Sequence, residues 1–422
     1  MNRRKFNVAL AGASLAAVAT RAVAKSRARK PRVALYNTVG ARLTHYDVDV
    51  EAATLTQRAT LPLPSIIQYV WPHPTDRYLY ASTSDAVPGA LTVTGNVHRL
   101  CAVSVGRDGA VSMHGEPAVL SQRPINNSVD ATGRYAFTCY SAPANLSVNT
   151  INADGTVGPQ IAQAAKLDLG IFPHQIRALP SNRSVVMVTR GINANAKKPE
   201  YPGALKLFTF DQGQLAPLQS IAVGGKGGYG YGPRHLDFHP TQPWVYVALE
   251  RENQLMMHHI VGDGFAPEPS FVKTTTSDTT SDPALTLAGA IHVHPRGHTV
   301  YVSNRASNTV PFNGKPVFAG GENSIAVFSI DPATGEPTLV QHIDPQGFHV
   351  RAFTIDPTGK LLVAATMLDM WVRDGEAVRH VPAALSVFRI GDDGRLTFVR
   401  KYDVETTDQD QQLWVRMMTL PV

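Results

Sequence analysis

The sequence predicts an all-β fold, a seven-bladed β-propeller with four-stranded antiparallel blades around a central channel, on three observations. One short phrase, a polar or Pro-bearing turn followed by a β-rich run, is written six times. Its anchors Pro74, Ala131, Pro180, Pro240, Pro295 and Pro357 lie 57, 49, 60, 55 and 62 residues apart, a period that suits four strands plus loops. No helical apolar period of useful length accompanies them.

In chain order the phrases are HPTDRYLYAS (73–82), DATGRYAFTC (130–139), LPSNRSVVMVT (179–189), HPTQPWVYVA (239–248), HPRGHTVYVS (294–303) and DPTGKLLVAAT (356–366). Pro fixes φ, and Asp, Asn or Gly just after it tolerates the bend, so each copy reads as a hairpin. Runs such as WVYVAL (244–249) and TVYVSN (299–304) are almost continuously apolar, as expected where blade packs on blade. SIAVFSIDPATGEPTLVQHI (324–343) adds a further hairpin with its turn at 331–335. A first strand at 33–36, closing the ring against LTFVRKYDV (396–404), brings the blades to seven; an eight-blade ring or two sandwiches are the alternatives. The Gly-rich stretch 224–232 and the Thr/Ser/Asp-rich stretch 274–282 read as loops within blades.

The N-terminus reads as an address label, to be set apart from the fold. Arg3, Arg4, Lys5 and Phe6 precede an apolar stretch (8–19) and the small residues Ala22, Val23 and Ala24. Paired arginines point to twin-arginine export over residues 1–24, with an ordinary secretory signal as the alternative. Both predict a periplasmic or secreted protein with one propeller domain over 25–422. The apolar stretch is too short to span a bilayer, so no membrane span is expected in the mature protein. Removing Arg3, Arg4, Lys5 and Arg21 takes the formal charge from +6 to 6 − 4 = +2, which is no nucleic-acid footprint. Cys101 and Cys139 are the only cysteines, so a disulfide framework is excluded. One bridge between them stays open beside two buried thiols.

On a common register, six positions before the anchor sit Gln68, Ile125, His174, Arg234, Gly289 and Arg351. Ten positions after it sit Ser84, Ser141, Arg190, Glu250, Arg305 and Met367. In an unbulged hairpin the two sets face each other at one rim, His174 opposite Arg190 and Arg234 opposite Glu250. Three consecutive blades then bring imidazole, carboxylate and guanidinium groups to one channel mouth, where a scaffold has no need of them. An exposed cross-strand ion pair and a hydrogen-bonded loop histidine are the bland readings of the individual members. His239 and His294 read as turn residues. His292 with His294, or His258 with His259, could chelate, but no third ligand is evident, so no metal is expected.

With these residues in place, the chain resembles the lactonase family of seven-bladed propellers, which includes bacterial propeller-type 6-phosphogluconolactonases and fungal carboxy-muconate lactonising enzymes. The resemblance rests on PHQ (173–175), GPRH (232–235), Glu250, SNR (303–305) and the GxxVR form of 347–351. It implies a catalytic set of His174, Arg234, Glu250 and Arg305, with Arg351, Arg190, Asn304 and Gln68 as substrate-binding candidates and no cofactor. The chain departs from the family pattern where Thr189 and Arg190 stand for Asp-Leu, Leu249 for Asn, and Val350 for Pro.

Opening a lactone needs an activated water, a donor for the growing oxyanion and a proton for the leaving alkoxide. His174, with a reference pKa near neutral, is the candidate base. Glu250 beside Arg234 should stay ionised and orient water or serve as a weaker base, and the two roles could be exchanged. Arg234 and Arg305 would stabilise the oxyanion and any acidic group. The leading expectation is metal-independent hydrolysis of a sugar-derived or related acidic lactone, 6-phosphogluconolactonase-like, with a small lactone or carboxylate as partner. The alternatives are a non-catalytic propeller binding a carboxylated ligand or a protein, and a muconate-type lactonising lyase.

Overall fold

The computed structural model describes residues 32–86, 95–224, 227–277 and 283–421. The proposed export label therefore lies outside the described residues. Residues 32–422 cluster as one compact unit. Seven antiparallel sheets form its blades. Their inner strands are Ile66–Pro72, Asn126–Val129, Pro173–Ala178, Pro233–Phe238, Leu287–Val293, Phe348–Ile355 and Gln412–Thr419, and each packs beside the next around the ring. In six blades the strand before the repeated turn is the innermost one, as the phrase register predicts. The second strand is sealed on both faces: every residue of Trp244–Leu249 and of Thr299–Arg305 is buried. The hairpin expected at 324–343 is present as Ser324–Ile330 and Pro337–Ile343.

The ring closes with a different strand from the one expected. Val33–Val39 pairs with Gln412–Thr419, so both ends of the described chain share the first blade. Leu396–Asp403 is instead the outer strand of the seventh blade, paired with Ala384–Ile390. Burial explains the choice. Gln412–Thr419 puts Leu413, Trp414, Val415, Met417 and Met418 into the core, whereas Leu396–Asp403 exposes Thr397, Phe398, Arg400 and Lys401, which suits an edge.

Blades are tied to their neighbours by buried polar groups. The phenols of Tyr36, Tyr80, Tyr246 and Tyr301 each donate a 2.8 Å hydrogen bond to a turn carbonyl of another blade, at Gly109, Gly155, Gly335 and Gly394 respectively. The turn histidines bond in a similar way. His73, His239 and His294 place Nε2 2.9–3.1 Å from the carbonyls of Gly133, Gly297 and Gly359, one repeat further on. Where the phrase begins with Asp, Asp130 and Asp356 instead accept from the backbone of their own turns.

One feature escaped the sequence reading. The hairpin Thr309–Phe312/Lys315–Phe318 of blade six and the hairpin Met370–Asp374/Ala377–Val381 of blade seven join through a parallel bridge, Val317 to Trp371, into a small extra sheet. Lys315 lies 4.6 Å from the Trp371 ring and Arg373 4.4 Å from the Phe312 ring. Cys101 and Cys139 are free and buried on strands of different blades, so the open question of a bridge is answered by two thiols. Burial pushes the Cys101 thiol up to about 11.

Replacing Tyr246 by Phe removes one inter-blade hydrogen bond while keeping the ring packed. The expected cost is about 1 kcal/mol in urea unfolding, the usual net worth of such a bond; an unchanged midpoint would show that the phenol tie adds nothing to blade cohesion.

Candidate active site

The inner strands carry the site because they are irregular. The ladder slips at Gln68, His174, Arg234 and Arg351, each an extra residue with no partner on the adjacent strand. The facing pairs expected from an unbulged ladder are therefore corrected: Pro173 lies opposite Thr189 and Pro233 opposite Leu249, leaving His174 and Arg234 between registers. A bulge bends the strand and re-aims its side chain, so these residues turn inward at one level of the ring. The repeat had placed them at that level, and only the pairing differs.

Glu250 holds the cluster together. Its Oε2 lies 2.8 Å from Nη1 of Arg190, its Oε1 accepts from Nη2 of Arg305, and the same Oε1 lies 3.4 Å from Nε of Arg234. Arg305 donates a further 3.1 Å bond to the Ala288 carbonyl, and the Arg190 guanidinium lies 4.7 Å from the Phe172 ring. Burial alone would raise the Glu250 carboxyl; the guanidinium groups of Arg190, Arg305 and Arg234 outweigh it and bring it down to about 2. Glu250 is thus a fully engaged anion.

Three neutral imidazoles surround this centre. His174 and His235 meet edge to face at 5.1 Å, and Nη1 of Arg234 donates to Nδ1 of His235 at 3.3 Å. Arginine can only donate, so His235 carries its proton on Nε2. By the same reasoning His349, whose Nε2 lies 3.4 Å from Nη1 of Arg305, keeps its proton on Nδ1 and gives it to Ser307 Oγ at 2.9 Å. Burial first, then nearby arginines, pushes all three well below the ordinary histidine value. His174 is thus less basic than the reference value that made it the candidate base. Its Nδ1 is buried without a hydrogen-bond partner among the described residues. Phe172 and His349 also hold φ of 57° and 54°, a left-handed backbone that bulky residues adopt at a cost.

Of the residues singled out from the sequence, His174, Arg190, Arg234, Glu250, Arg305 and Arg351 come together. Arg351 is part-exposed and has no hydrogen-bond or ion-pair partner among the described residues, and burial next to Arg305 brings its pKa down to about 10. Gln68 is buried with its amide oxygen accepting from Arg123. Asn304 is also committed: its side chain bonds Thr275, Ser324 and Glu322 and brings no free group to the cluster. The residues that depart from the family pattern have structural places. Thr189 exchanges hydrogen bonds with the backbone of Ala204, and Leu249 and Val350 sit in the apolar core. His235 and His349 were missed; the first stood in view within GPRH, but the second depends on a bend that spacing does not encode. Among the described residues no group of three or more His, Cys, Asp or Glu is placed to hold a metal, and no helix is long and apolar enough to cross a membrane.

A family model described as "Lactonase, 7-bladed beta-propeller" matches residues 33–369. The chain belongs to this family. It is 28% identical over 280 residues to the 6-phosphogluconolactonase of Bacillus subtilis, covering 63% of this chain and 70% of that one. It is 24% identical over 352 residues to the 6-phosphogluconolactonase of Yersinia enterocolitica, covering 83% and 88%. In fold it is similar to the periplasmic gluconolactonase of Pseudomonas aeruginosa, with a TM-score of 0.67 at 18% identity over 92% of this chain and 100% of the other.

The depressed Glu250 carboxyl has a consequence for stability. Its folded value of about 2 lies below its ordinary 4.5, so its contribution is complete above about pH 4.5 and is lost as pH falls towards 2. The shift corresponds to about 3 kcal/mol. Chemical unfolding of wild type and Glu250→Gln should therefore give a stability gap that is constant near neutral pH and narrows between pH 4.5 and 2; a gap independent of pH would contradict the depressed value.

Proposed function

We propose that this protein hydrolyses a lactone carrying an acidic group, with His174 as the base that activates water. The observation that carries this reading is Arg351, a guanidinium deep in the ring without a carboxylate partner among the described residues, set beside Arg234 and Arg305. The cluster holds four arginines, 190, 234, 305 and 351, against one carboxylate, and that imbalance calls for an anion from outside. The curated relatives named 6-phosphogluconolactonase support the same substrate class.

In this reading neutral His174 takes a proton from water through its unpartnered Nδ1 as the water oxygen attacks the lactone carbonyl carbon. Negative charge growing on the carbonyl oxygen meets the guanidinium groups of Arg234 and Arg305, which Glu250 holds in place so that little reorganisation accompanies the reaction. The ring C–O bond then breaks, and the His174 imidazolium, disfavoured among arginines, returns its proton to the departing alkoxide. Glu250 acts as a fixed counter-ion in this scheme, because a carboxyl at about 2 is a poor base near neutral pH. The exchange of roles between His174 and Glu250 is therefore set aside. Arg351 takes the acidic group of the substrate. The paired Arg3 and Arg4 support action in the cell envelope after export.

A panel of 6-phosphogluconolactone and uncharged glucono-δ-lactone tests this directly. His174→Ala should lose at least ~100-fold in kcat, the range for a lost general base. Arg351→Gln should raise KM at least ~10-fold more for the phosphorylated than for the uncharged lactone, as one charge-assisted contact implies. Because His174 is held below its ordinary value, kcat/KM should stay level down to pH 6.5 and fall only at lower pH. Hydrolysis of the panel at the uncatalysed rate would sink the enzymatic reading.

A further inference from the structure

Three successive residues at the channel mouth, Arg305, Ala306 and Ser307, are tied to one residue of the next blade, His349. Nη1 of Arg305 donates to Nε2 of His349 at 3.4 Å, and Nδ1 of His349 donates to Ser307 Oγ at 2.9 Å. Asn323 makes the link between them. Its Oδ1 accepts from the amides of Ala306 at 3.1 Å and His349 at 2.7 Å, and its Nδ2 donates to the Ala306 carbonyl at 3.0 Å. The left-handed backbone of His349, with φ of 54°, is a conformation that a bulky residue keeps only where its surroundings hold it, and the Asn323 clamp is such a hold. Ser307 and His349 are not a nucleophile and its base. With Nε2 accepting from an arginine the proton sits on Nδ1, and a nitrogen that already carries a proton cannot take the one on Ser307.

We propose that His349 is a positioning residue, whose Nε2 lone pair sets the direction in which the Arg305 guanidinium faces the channel mouth. The inference rests on the hydrolytic reading above, in which Arg305 meets the growing oxyanion. Counting the donors of Arg305 shows why one acceptor matters. Its Nη2 group gives to Glu250 Oε1 and to the Ala288 carbonyl, which uses both hydrogens. Nε is buried without a hydrogen-bond partner among the described residues. One Nη1 hydrogen goes to His349, so the second is what the guanidinium has left for an incoming oxygen. Glu250 and Ala288 hold only the Nη2 side of the group, and His349 is the contact that holds the Nη1 side. An uncharged acceptor suits this place: a second carboxylate would neutralise Arg305, whereas an imidazole orients the cation and leaves its charge to act on the carbonyl oxygen. Ser307 fixes the tautomer that leaves Nε2 free to accept, and Asn323 fixes the backbone that carries the ring.

Two variants of the full chain separate orientation from bulk. His349→Gln keeps an acceptor near the place of Nε2, and His349→Leu removes it while still filling the space. With glucono-δ-lactone, His349→Leu should lose at least ~10-fold in kcat while KM changes less than ~3-fold, because a misdirected donor is felt where charge develops on the carbonyl oxygen. His349→Gln should recover most of that loss. Gluconate, whose carboxylate is already charged, reads the same orientation without turnover: calorimetric titration should find it at least ~5-fold weaker in His349→Leu than in wild type and within ~2-fold of wild type in His349→Gln, as one hydrogen bond implies. Should His349→Leu fail to fold, histidine-selective NMR of the wild type, with His349→Gln assigning the signal, should find the Nδ1–H tautomer. Unchanged kcat in His349→Leu, equal losses in the two variants, gluconate bound alike by all three proteins or by none, or an Nε2–H tautomer overturns the proposal. A wild type that hydrolyses no lactone while gluconate binds in the stated order sinks the hydrolytic reading and leaves the positioning role standing.

Discussion

One buried carboxylate sets the geometry of the channel mouth. Glu250 follows the second strand of its blade and receives guanidinium groups from three consecutive blades: Arg190, Arg234 and Arg305. Each cation alone would pay a large desolvation cost, and each is made tolerable by the same anion. The arrangement also gathers the three arginines at one level of the ring. Arg351 feels this anion electrostatically but forms no ion pair with it among the described residues.

The bulges are the second constraint. A regular antiparallel strand alternates its side chains between two faces, and in a propeller both faces are covered by neighbouring blades. An inner strand can direct an extra polar residue at the axis only by breaking that alternation. The slips at Gln68, His174, Arg234 and Arg351 do this at one level of the ring. The strain at Phe172 and His349 falls on residues flanking the same level, which is where a tightly packed fold concentrates such cost when function requires it.

Much of this was legible in the chain because turn chemistry repeats. The six phrases placed six of the blades, and their register brought His174, Arg234, Glu250 and Arg305 to one rim without any contact information. What was not legible had a physical reason in each case. The closing strand carries no copy of the turn phrase, so Leu396–Asp403, richer in β-formers, looked the better partner for Val33–Val39 although its charges mark it as an edge. The actual facing of His174 and Arg234 depends on bulges, which leave no mark in residue spacing. The loss of basicity at His174 comes from burial among arginines contributed by other blades, and Asn304, set beside Arg305 in sequence, has its amide consumed by Thr275 and Ser324 across the sheet. The sheet shared by blades six and seven arises from two insertions whose meeting at Val317 and Trp371 is purely tertiary.

The shared first blade ties function to the order of synthesis. Its inner strand, Gln412–Thr419, is synthesised after every other described strand of the blades, and its partner Val33–Val39 before them. Until that late strand docks, the early one waits with an open hydrogen-bonding edge, and the axis lacks one of its seven walls together with Arg416. A nascent chain that lacks this strand can therefore possess six complete blades and still have no enclosed axial chamber, so closure of the internal compartment depends on this one pairing between distant strands.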